Sequence, residues 1–68
     1  MNEDELKALN KDVKKKKRIA TDWASQIHDV VEDTLWTDYN RLTELAQSTI
    51  AACEDWKAAQ AKLDEASA

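Results

Sequence analysis

The sequence predicts an all-α fold, an antiparallel two-helix hairpin. Three observations point to it. The 68 residues include no glycine, proline or phenylalanine, and Ala, Lys, Glu, Asp and Leu dominate, a composition typical of long helices. Apolar residues recur at alternating spacings of three and four along two long stretches, the period of a helix face. Between them the pattern stops, over residues 34–38.

Helix 1 is expected over about residues 3–33. Asn2, followed three residues later by Glu5, is a variant of the capping box, and Glu3, Asp4 and Glu5 suit the positive end of a helix dipole. The stripe runs Leu6, Leu9, Val13, Ala20, Trp23, Ile27, Val30, and Lys16 takes the one position that breaks it. Ile19, Ala24 and Val31 widen the stripe beyond a strict coiled-coil seam. With Lys16 inside the basic run 14–18, the first turns of helix 1 are expected to pack less tightly and to project as a charged arm.

The turn is expected at about 34–38 without a glycine or proline to mark it. Thr37 or Asp38 can cap a new helix, and Leu35, Trp36 and Tyr39 are placed to cover the end of the hairpin. A continuous helix is the competing reading, since no residue here is an absolute breaker. Helix 2, about 39–65, shows Leu42, Leu45, Thr49, Ala52, Trp56, Ala59 and Leu63. Ala46 and Cys53 lie beside that seam, and Cys53 reads as a buried small residue.

A chain this short gains only a few kcal/mol from its own core. Its single cysteine excludes an intramolecular disulfide and fits a reducing compartment. Pairing of two hairpins into a four-helix bundle would cover Ile19, Val31 and Ile50, so a homodimer is expected. No apolar run approaches the roughly 20 residues that span a membrane, and the acidic N-terminus is unlike a signal peptide. The expectation is a soluble, cytoplasmic protein.

Residues 7–18 hold seven of the ten basic side chains against one acid, Asp12. From Ile19 onward there are three basic and ten acidic side chains. Such a dipolar rod favours charge-matched docking. Lys14, Lys15, Lys17 and Arg18 form a candidate surface for an acidic protein partner. RNA is the alternative ligand, but consecutive charges point all round a helix and no aromatic residues interleave. There is no Gly-rich phosphate loop and no Ser/His/Asp arrangement, so neither enzymatic activity nor a cofactor is expected.

The second candidate surface is His28, Asp29, Glu32, Asp33, Leu35, Trp36, Asp38 and Tyr39. His28 and Glu32, like Asp29 and Asp33, are four apart and line one helical strip each. Such pairs could hold a divalent metal if a dimer brought two together, giving a metal-carrier alternative. A di-iron bundle needs Glu-x-x-His, however, and residues 25–28 read Ser-Gln-Ile-His. No metal is assigned. The bland reading is a polar helix face on which His28 pairs with Glu32. The sharper one is a protein-recognition surface with Trp36 as its hot spot.

Residues 27–39, continuing through 45–53, resemble a known family. The carrying positions are His28-Asp29, Glu32-Asp33, Leu35, the Asp38-Tyr39 pair, Leu45-Ala46 and Thr49. The chain is similar there, and more loosely over about 18–63, to the NifX-associated, Rop-like proteins of nitrogen-fixation gene clusters. It departs from them at Trp36, where the family usually has proline, and at Ile50, which replaces an aromatic residue. The resemblance implies a dimerising helical hairpin that serves nitrogenase as an accessory factor. Its implied partner is the molybdenum–iron component or a protein that assembles or protects the cofactor.

Overall fold

The computed structural model describes residues 2–67. Helix α1 spans Glu3–Asp29, a π-helical turn follows at Val30–Thr34, and helix α2 covers Leu35–Asp38. The chain reverses at Tyr39 and Asn40, and helix α3 runs back over Arg41–Ser67. The described residues contain no strand. The result is the expected helical hairpin, a rod of 51 × 15 × 12 Å. Its radius of gyration is 15.5 Å, against about 11 Å for a compact domain of this length. None of its helices, among the described residues, is long and apolar enough to cross a membrane.

The start of α1 follows its cap. Asn2 has extended backbone (φ −81°, ψ 169°), and its Oδ1 accepts the Glu5 N–H at 2.8 Å. One otherwise unpaired donor of the first turn is thereby satisfied. The acids Glu3, Asp4 and Glu5 lie in that turn, where the helix dipole favours them.

Along the rod, the alternating pattern is the packing pattern. In α1 and just beyond it, Leu6, Leu9, Val13, Lys16, Ala20, Trp23, Ile27 and Val30 are all half-buried or buried. In α3 the same holds for Leu42, Leu45, Thr49, Ala52, Trp56, Ala59 and Leu63. Val13, Val30, Leu45, Ala52 and Ala59 are the buried ones, at 4–9% exposure, and among the described residues no side chain falls below 2%. The core is continuous but thin. Thr49 tolerates its place in the seam because its hydroxyl donates to the Leu45 carbonyl at 2.7 Å.

Lys16 does not interrupt this seam. It is half-buried, between a buried Val13 and a half-buried Ala20, and the turns before it keep Leu6 and Leu9 half-buried. The expected charged arm is therefore corrected to a packed helix. A lysine stem can fill an apolar position while its ammonium group reaches water. Cys53 is a second correction, exposed where burial was expected. It sits one residue past Ala52, on the flank of α3 that α1 leaves uncovered.

The turn is the third. Residues 34–38 are helical in large part, and the reversal comes at 39–40. The reason lies in where the next apolar residue falls. After Val30, alternating spacing would bring Thr34 and Thr37 inward, and both are exposed. Leu35 and Asp38 are half-buried instead. The wider π turn accommodates the one additional residue and returns Leu35 to the inner face. The adjustment is concentrated at Thr34, whose backbone (φ −130°, ψ 20°) leaves the helical region while its carbonyl accepts from Thr37 Oγ1 at 3.2 Å.

Candidate functional site at the turn end

The π turn divides the eight candidate residues of the turn end into groups with different surroundings. His28, Asp29 and Glu32 belong to the outer face near the end of α1. His28 Nε2 lies 3.1 Å from Glu32 Oε2, and Nδ1 lies 3.8 Å from Asp29 Oδ1. These side chains are 63–73% exposed, so water screens the attraction and the contacts orient more than they stabilise. They are the only ion-pair distances among the described residues.

Asp33 and Asp38 lie on the other side, and Asp29 borders both groups. With Gln26, Val30, Thr34 and Arg41 they line a recess of roughly 260 Å³. The reversal at residues 39–40 brings Arg41 back to these carboxylates. The recess is lined by three aspartates, a glutamine, a threonine and one arginine, a set suited to a cationic or hydrogen-bonding side chain of another protein.

The apolar members separate in the same way. Leu35 is half-buried and helps close the core. Trp36 is 89% exposed and Tyr39 56%. Tyr39 follows the last residue of α2 in helical backbone, three residues after Trp36, so the two share a face. Neither covers the hairpin end as the sequence suggested, because the π turn directs Leu35 inward. Val31, 51% exposed, adds further apolar area at this end. An exposed tryptophan beside carboxylates has the make-up of a binding anchor with a polar rim.

The basic candidates lie elsewhere. Lys14, Lys15 and Arg18 join Lys11 on one outward surface of α1. Lys17 leaves that group and borders a different groove, with Ala20, Thr21, Ala24, Thr49, Cys53 and Trp56. Among the described residues, no three His, Cys, Asp or Glu side chains are grouped so that they could hold a metal ion.

Two participants escaped the sequence reading. Arg41 is the only lysine or arginine between Arg18 and Lys57, a signal of singular placement, but its position depended on where the chain turns. The apolar groove carried only a weak signal, since Ala24 and Cys53 looked like widened seam.

The model of the family described as Rop-like matches residues 4–68 of this chain. No curated protein and no solved structure matches it.

Proposed function

This chain belongs to the Rop-like family, and from that premise we propose that it is a non-enzymatic accessory protein of nitrogen fixation. In this reading it binds the molybdenum–iron component of nitrogenase, or a protein that assembles its cofactor. It stabilises or protects a form in which the cofactor is exposed or the fold partly disordered. The nitrogenase assignment is supported by the motif resemblance through residues 27–53. The observation that carries the binding role is the turn end, where Trp36 stands 89% exposed at the end of the rod that also carries Asp29, Glu32, Asp33 and Asp38. Asp29, Asp33 and Asp38 engage basic groups of the partner, while Trp36 and Tyr39 supply the apolar contact. A π turn at this point agrees with that role, since such turns are frequent at functional sites.

Pull-down from nitrogen-fixing cells tests the assignment, comparing the unaltered chain with an Asp29→Ala/Trp36→Ala variant. Nitrogenase or assembly proteins are expected with the first and depleted with the second. If neither bait enriches them, the partner assignment fails. The alternative of RNA binding draws on the clustering of Lys11, Lys14, Lys15 and Arg18. It requires RNA affinity that falls steeply with salt and is lost when these residues are neutralised.

A further inference from the structure

The outward face of α1 has a periodicity of its own. Lys11, Lys15, Arg18, Asp22, Ser25 and Asp29 succeed one another at alternating steps of four and three. All six are exposed, on the side of the helix away from α3. Lys14, one turn before Arg18, borders the same surface as Lys11, Lys15 and Arg18. The basic run therefore does not surround the helix evenly. Lys16 is drawn into the seam and Lys17 borders the groove, which leaves four cations on one strip. Along that strip the sign of charge changes once, between Arg18 and Asp22. Its far end is Asp29, which also lines the turn-end recess with Asp33 and Asp38.

We propose that this two-signed strip and the turn end form one continuous docking face. Its occupant is a protein surface with charges in the complementary order, a basic patch at the turn end and an acidic patch about 20 Å along the rod. The proposal rests on the reading of the turn end as a protein-binding end, and adds to it the layout of the partner's surface.

Spacing and charge each favour that occupant. The helix advances roughly 21 Å from Lys15 to Asp29, whereas physiological salt screens exposed charges beyond about 8 Å. A partner therefore meets two distinct patches instead of a neutral average. Nor do the charges satisfy one another. Among the described residues none of the four cations forms an ion pair, and the only such contacts are those of His28. Because α1 is unbroken over Glu3–Asp29, the distance between the patches is fixed. A nucleic acid or an anionic lipid surface would suit the basic half alone, since a polyanion laid along the strip meets Asp22 one turn past Arg18. A protein surface can change sign where the strip does. Reversing the rod on such a surface would set like charges together, so the strip fixes direction while Trp36 supplies the apolar anchor.

Capture from nitrogen-fixing cells, quantified for nitrogenase and its assembly proteins, tests the face with paired variants. Lys14→Gln/Arg18→Gln on the strip and Lys57→Gln/Lys62→Gln on α3 change the net charge equally, and all four positions are exposed. Capture should fall at least about tenfold with the first pair and stay unchanged with the second. A photo-crosslinker on Ser25→Cys, in a Cys53→Ser background, should attach to the captured protein. One on Ala61→Cys, at an exposed position of α3, should not. Circular dichroism checks that each variant stays helical, and the uncharged Ser25→Cys carries the test if a charge variant unfolds. If the unaltered chain captures neither nitrogenase nor its assembly proteins, the turn-end reading fails and this one with it. Three results overturn the strip alone: capture that survives Lys14→Gln/Arg18→Gln, an equal loss with Lys57→Gln/Lys62→Gln, or attachment from Ala61→Cys in place of Ser25→Cys. Capture abolished by ribonuclease assigns the basic half to RNA and overturns it too.

Discussion

The body of the rod and its turn end are built from the same helical backbone, yet they use it differently. In the body, each apolar position meets the opposite helix at the next alternating step, from Leu6 to Val30 and from Leu42 to Leu63. At the turn end one additional residue shifts the pattern. Leu35 is kept inside, while Trp36 and Tyr39 are displayed. Regular spacing makes a surface disappear, and a shift in spacing makes one available. Stability should therefore reside in the body and recognition at the turn end.

Substitutions can break or sharpen that division. The largest effect is expected from Leu45→Ala, since Leu45 is 5% exposed in the seam near the start of α3. It should cost about 3 kcal/mol in urea unfolding, and a loss below about 1 kcal/mol would deny the body its core. Ala52→Leu, at a site 6% exposed, should cost about 1–3 kcal/mol by forcing the helices apart. Trp56→Phe is expected to change stability by less than about 1 kcal/mol, in either direction. It removes apolar area but also the buried Trp56 N–H that has no hydrogen-bond partner, an omission that costs about 1–3 kcal/mol in general. Smallest of all, Trp36→Ala should shift unfolding by less than about 0.5 kcal/mol while depleting captured partner. A large loss of stability there would show that Trp36 belongs to the core.

The body was legible in the sequence because its determinants are local. Period, cap and first-turn acids act within a few residues, and Asn2, Glu5 and the two stripes reported them directly. The position of the turn was not. Without glycine or proline, it depends on how Leu35 meets the returning helix, which the spacing of one strand of sequence does not express. Lys16 misled because residue type describes its ammonium group and not its stem. Cys53 misled because a small residue beside a seam gives no sign of which flank the other helix covers. At the turn end, the carboxylates were evident from their departure from the stripe, whereas Trp36 read equally as cover for the hairpin end. Their grouping around Arg41 required the reversal at residues 39–40. The nitrogenase reading came from resemblance alone and has no counterpart in spacing or charge.

The extra residue in the π turn has a consequence for how such a rod can change. A residue of α-helix turns the chain by about 100° and advances it by about 1.5 Å. Removing Thr34 would therefore alter the heading of Trp36 and Asp38 relative to Asp29, Glu32 and Asp33, with almost no change in reach. The seam from Leu6 to Val30 would be untouched. A binding end on this scaffold can be re-aimed by the count of residues before it, at the expense of the Leu35 contact and with the seam of α1 kept.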